Sequence, residues 1–145
     1  MNLDKEKLKN LDKLPPDIKR QFALYMNQWK EKKKESQIAT NFMAFVKHVW
    51  PDFIEGSHHK IVADKFNKLA SGEIKRLIIN MPPRHTKSEF ASFLLPAWMV
   101  GKNPKLKIIQ STNTTELSVR FGRKAKQLMD SVEYKQVFKT RLRED

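Results

Sequence analysis

The chain has 145 residues, with 29 Lys and Arg against 16 Asp and Glu, a formal net charge of +13 and no cysteine. The missing cysteine excludes disulfides and thiolate chemistry and fits a reducing compartment, and no apolar run approaches the roughly 20 residues that span a bilayer. A pI near 10.0 suits a polyanionic partner, nucleic acid or a membrane surface, and equally suits a plain solvated surface.

The opening, MNLDKEKLKN, has no apolar core and does not read as a secretory signal, so the chain is expected in the cytosol. Leu3, Leu8, Leu11 and Leu14 predict a short helix closed by Pro15 and Pro16. A second helix opens at Pro16 or Asp17 and carries Ile18, Phe22, Tyr25 and Trp29 at near-helical spacing. It runs into EKKKE (31–35), a solvated helix end or linker. Ile38, Phe42, Phe45, Val46 and Val49 repeat the spacing over 37–50, and Pro51 closes it. Residues 1–52 therefore form a helical N-terminal segment.

The texture changes near Gly56. Ser57 is placed to cap a helix with Ile61, Val62, Phe66 and Leu69 on one face, and Gly72 stands where a C-terminal cap belongs. A strand is expected over 76–81 and a helix from about Thr86 to Val100, kinked or shortened by Pro96. Leu106 to Ser111 reads as a second strand, Asn113 and Glu116 as a capping pair for a long helix, and 132–142 as a helical tail. Leu117, Phe121, Ala125 and Leu128 line one face of the long helix, while Arg120, Arg123, Lys124 and Lys126 decorate the rest.

Two strands separated by a helix imply a right-handed parallel crossover. The predicted class is thus α/β: a parallel sheet with flanking helices, forming the first part of a P-loop ATPase domain over 53–145. Its chemistry lies in LIINMPPRHTKSE (77–89), a strand, a proline turn and a Lys-Ser pair opening a helix. That is the layout G-x-x-x-x-G-K-[ST], with Met81 and Thr86 where the glycines usually stand. Lys87 would reach the terminal phosphates of a nucleotide and Ser88 would place its hydroxyl on magnesium. Pro82 and Pro83 have no N–H, so backbone donors must come from Arg84 onward, through His85, Thr86, Lys87, Ser88 and Glu89. The competing reading is a solvated helix start after a proline turn.

A nucleotide hydrolase also needs an acidic residue after a later apolar strand. None follows Ser111, since Asp130, Glu133, Glu144 and Asp145 sit in helical or polar sequence. Hydrolysis by this chain alone is therefore not expected. His48, His58, His59 and His85 fit no usual metal-ligand spacing and read as surface or capping residues, and Trp29, Trp50 and Trp98 read as core.

IKRLIINMPPRHTKSEFAS followed by KNPKLKIIQSTNTTELSVRFGRKAK resembles the N-terminal ATPase region of the large terminase subunit of tailed double-stranded-DNA bacteriophages. The similarity covers about Phe53 to Phe138. The resemblance implies a motor that uses ATP and Mg2+ to drive double-stranded viral DNA into a procapsid. It implies a portal protein and a small terminase subunit as partners, no membrane, and a ring of copies in the full-length protein. The place of work would be the cytoplasm of the bacterial host, transiently at the procapsid portal. By the same resemblance Lys87 contacts phosphates, Ser88 the magnesium, Arg84 senses the γ-phosphate, and the His58–His59 region touches adenine. The family usually has glycine where Thr86 stands, and its acidic pair and nuclease carboxylates have no counterpart here, so the chain reads as the first portion of a terminase. Two alternatives stay open: a basic DNA- or partner-binding fragment with a vestigial phosphate loop, in which Arg120, Arg123, Lys124 and Lys126 meet phosphates, and a helicase-like ATPase.

Overall fold

A computed structural model describes residues 15–142; the helix expected over 1–14 lies outside them. The chain divides into two compact units, residues 1–34 and 35–145. In the first unit the described residues form the greater part of helix α1 (Pro16–Thr40), with Asp17 in its first turn. The EKKKE run continues this helix instead of ending it, because Glu and Lys are good helix formers and no Gly or Pro intervenes. Trp29 is 45% exposed, with the Lys33 ammonium 5.0 Å from its ring centroid, so it is not a core residue.

The second unit begins with the end of α1. The Thr40 hydroxyl donates to the Ser36 carbonyl at 2.8 Å, and the Asn41 side chain accepts from the Ala44 N–H at 2.9 Å, opening α2 (Phe42–Val49). The single helix expected over 37–50 is therefore two helices, broken at an N-cap asparagine. Helix α3 (Ser57–Ser71) starts one residue after Gly56 and ends at Gly72, whose φ of 80° is the left-handed cap. Then come a short α4 (Lys87–Glu89), a π-helical turn (Phe90–Leu94) and α5 (Leu95–Lys102), in one helical run. In the π turn the Leu95 N–H donates to the Phe90 carbonyl, one residue further back than in an α-helix. Pro96, which has no N–H to give, follows directly, so the wider turn takes the place of the expected kink. Helices α6 (Thr115–Asp130) and α7 (Val132–Val137) complete the unit. Thr114, not Asn113, caps α6.

Phe42 is the centre of the core. It is fully buried and meets Phe66, Phe90 and Trp98 edge-on, with ring centroids 5.1, 5.4 and 5.5 Å away. Phe45, Tyr134 and Phe138 extend the cluster toward α7. Edge-on aromatic pairs add roughly 0.5–1.5 kcal/mol each beyond burial.

The α/β expectation is overturned. Among the described residues every regular element is helical and no residue belongs to a strand. Segments 76–81 and 106–111 are irregular, and no backbone hydrogen bond joins them. Leu77 and Ile79 do pack on the core, but Ile78 is 86% exposed between them and Ile109 is 97% exposed. The reason is physical: a helix satisfies its N–H and C=O groups within one segment, whereas a strand needs a neighbour. Apolar runs at 76–81 and 106–111 supply side chains for a sheet, but neither finds a ladder here.

Candidate phosphate-binding site

The turn between Met81 and Lys87 joins the irregular segment, anchored on the core by Leu77 and Ile79, to the helical run. Pro82 and Pro83 fix φ near −65° and remove two donors. Arg84 and Thr86 then adopt left-handed backbone, with φ of 66° and 62°. For residues with a Cβ that costs about 1–2 kcal/mol each, so surrounding contacts must hold the turn.

Those contacts are visible. The His85 Nδ1–H donates to the Pro83 carbonyl at 2.9 Å, bracing the turn from within. His59 Nε2 lies 3.1 Å from the Thr86 hydroxyl, bracing it from α3. The Lys87 ammonium folds back and donates to the Met81 carbonyl at 3.3 Å, so its charge lies over the mouth of the turn. Ser88 is exposed beside it. The Phe90 N–H donates to the Thr86 carbonyl at 3.0 Å, which sets the first helical turn.

Two clefts flank this turn. One of about 390 Å³ is lined by Arg84, Thr86, Glu89, Phe93, Lys124 and Trp50. The other, of about 400 Å³, opens between Lys87, Ser88 and the apolar side chains of Phe66, Leu77 and Ile79. Arg84 is exposed and lines the first cleft. Glu89 lies 3.8 Å from the Lys124 ammonium, which also sits 5.2 Å from the Phe93 ring centroid. This contact between α4 and α6 is not legible in the sequence, because nothing local connects the two residues.

The two neighbouring histidines part company. His59 is 7% exposed, the sole buried polar residue among those described, and it faces the loop. His58 lines a mostly apolar cleft of about 330 Å³ with Ile61, Val62, Ile79 and Met81, and its Nε2 is buried without a hydrogen-bond partner. Their rings lie 3.8 Å apart, and His85 is 5.5 Å from His58. Burial first, and then the charges of His58 and His85, hold the His59 pKa below the ordinary histidine range against the opposing pull of Glu55. Among the described residues no group of three or more His, Asp or Glu is placed to hold a metal ion by itself. His48 serves instead to tie α2 to α7, donating to the Glu133 carbonyl at 3.0 Å.

The basic residues of α6 divide in the same way. Arg120, Arg123 and Lys126 are exposed, whereas Lys124 is turned toward Glu89. Comparison with protein-family models, with curated proteins and with solved structures finds no match to this chain.

Proposed function

We propose that the Arg84–Glu89 turn binds the terminal phosphates of Mg-ATP, and that the chain is the ATP-binding portion of a phage large terminase subunit. The observation that carries the reading is the position of Lys87, whose ammonium lies over a turn built from two left-handed residues and braced on both sides. In that position it needs only to exchange the weak Met81 carbonyl contact for a phosphate oxygen, a charge-assisted bond roughly twice as strong. Ser88, exposed at the next position, offers its hydroxyl to the magnesium that accompanies the nucleotide. Such an ion keeps several waters and takes few protein ligands, which fits a turn where Ser88 is exposed and the Thr86 hydroxyl is engaged by His59. Arg84 and Lys124 line one cleft beside the turn, where Arg84 can follow the γ-phosphate, and the apolar cleft at His58 has the character of an adenine site.

This assignment concerns nucleotide binding and rests on the local turn, not on a sheet. Glu89, the nearest carboxylate, is engaged by Lys124 and is not offered as a catalytic base. Translocation of double-stranded DNA, a ring of copies, and contacts with a portal protein and a small terminase subunit in the host cytoplasm follow from the sequence resemblance and belong to the same proposal. Mg-ATP binding measured by calorimetry tests it: the wild-type chain binds and Lys87→Ala abolishes binding. Equal binding by the two proteins overturns it.

A second reading is supported by Arg120 and Arg123, exposed on α6 beside a shallow cleft of about 590 Å³ that both residues line. Here the chain holds nucleic acid through α6, and the affinity is indifferent to ATP and to Lys87→Ala.

A further inference from the structure

His59 is buried, and both of its ring nitrogens are engaged, unlike those of His58, whose Nε2 is buried without a partner. The Gly56 N–H donates to Nδ1 at 2.9 Å. That contact needs the Nδ1 lone pair, so the ring proton of the neutral imidazole must sit on Nε2. Nε2, 3.1 Å from the Thr86 hydroxyl oxygen, is therefore the donor and Oγ1 the acceptor. The ring is held in this orientation by Phe53 and Phe90, with centroids 4.8 and 5.2 Å away. Thr86 makes no side-chain cap for α4, because its hydroxyl is spent on His59.

We propose that His59 is the positioning residue of the phosphate loop: its Nε2–H grips the Thr86 hydroxyl and so holds the left-handed turn that presents Lys87 and Ser88. The proposal rests on the phosphate-binding reading above and deepens it. A threonine at a left-handed position is disfavoured, and Nε2–H···Oγ1 is the contact that offsets it. The pair works as a unit: glycine at position 86 would need no clamp, and a clamp without the hydroxyl would have nothing to hold.

The clamp also has a defined chemical weakness. Protonation places a hydrogen on Nδ1, where it meets the Gly56 N–H donor-to-donor, and the ring loses its anchor. The groups around it are His58 on the same helix, His85 and Lys87 on the loop, and Glu55 in the preceding segment, paired with Lys47 of α2. Burial and the neighbouring histidines oppose protonation of the ring while Glu55 favours it, so the clamp stays closed until the ring itself takes up a proton on Nδ1.

The test uses the full chain and two independent readouts. Nitrogen chemical shifts of the His59 ring report its tautomer and titration without any nucleotide: the Nε2–H form is expected, and Thr86→Val, which removes the acceptor from Nε2–H, is expected to lower its pKa further. The Nδ1–H form, or a titration untouched by Thr86→Val, overturns the proposal. Calorimetry with Mg-ATP then compares His59→Phe and His59→Gln in wild-type and Thr86→Gly backgrounds. His59→Phe is expected to weaken binding roughly tenfold with Thr86 present and less than about threefold in Thr86→Gly, while His59→Gln, which keeps an N–H donor at similar reach, retains most of the affinity. Equal losses in both backgrounds overturn the clamp. If His59→Phe does not fold, Thr86→Val against Thr86→Gly gives the same comparison from the other partner. Failure of the wild type to bind Mg-ATP fells the phosphate-binding reading alone, and the ring tautomer and titration still decide whether His59 holds the turn.

Discussion

The Tyr134 hydroxyl donates to the Ala97 carbonyl at 2.9 Å, pinning α7 to α5 inside the core. Tyr134 is fully buried, its ring against Phe45 and Phe138. Burial pushes its pKa up to about 12, against a small opposing pull from Arg141. A phenol with a raised folded pKa stabilises the fold below the unfolded value of 10.0, and that contribution is lost as pH rises toward the folded one. Two pH units correspond to about 3 kcal/mol. Stability measured by urea titration should therefore fall between pH 10 and 12, and Tyr134→Phe should flatten that limb while costing about 1 kcal/mol at neutral pH. A limb unchanged in the variant would show that another group controls it.

Gly101 sits near the end of α5 against the same cluster. A Cβ built there would lie 2.6 Å from Cδ2 and Cγ of Phe138, a ring that is itself 5% exposed and has no room to withdraw. Gly101→Ala should destabilise the chain by about 1–3 kcal/mol, against the usual gain from alanine in a helix. Gly122 on α6 meets nothing within 4 Å and is the control. Thermal melts of Gly101→Ala and Gly122→Ala should move in opposite directions.

The features legible in the sequence were those decided locally. Phe42, Phe45 and Val46 announce a buried helix face by their spacing, Gly72 announces a left-handed cap, and Leu117, Phe121 and Leu128 announce the inner face of α6. The α/β reading failed at Ile78 and Ile109, because an apolar run states what a strand would bury without stating which segment would pair with it. Trp29 failed for a related reason: helical spacing marks a face but not the element that covers it. At the loop, Lys87 and Ser88 were readable from their order, whereas the distinction between buried His59 and half-exposed His58 was not. The signal for His59 was present: a histidine three residues after Gly56 stands where a capping-box side chain returns to the first N–H of a helix.

The α6 basic face makes its own prediction. Arg120 and Arg123 are exposed, so if α6 meets DNA each substitution by alanine should weaken binding uniformly across sequences and reduce the salt slope by about one. Lys124 is committed to Glu89 at 3.8 Å, a partly exposed pair worth about 0.2–1 kcal/mol at most, so Lys124→Ala should change the slope less. Fluorescence anisotropy over a salt series distinguishes these cases. Equal slope changes for Lys124 and Arg123 would mean that the Glu89 pair opens on binding.

Acid should act on the fold at His59 and then at the lysine-paired carboxylates, Glu55 with Lys47 and Asp130 with Lys135. His59 has a folded pKa held below 6.5 by burial, so its neutral form stabilises the protein above 6.5. That contribution is lost as pH falls through 6.5 toward the folded value, because the unfolded chain takes up the proton first. Glu55 has its carboxylate lowered below 4.5, first by the hydrogen bond from Lys47, so its contribution disappears only below that range. Urea titrations should show a first decline starting near pH 6.5 and a second starting near 4.5. His59→Gln should remove the first and leave the second, whereas Glu55→Gln should leave the first and reduce the second to the part carried by Asp130. Loss of Mg-ATP affinity should follow at lower pH than the onset of the first decline, where the folded ring itself takes up the proton and releases Thr86; a first decline that survives His59→Gln shows that another group controls it.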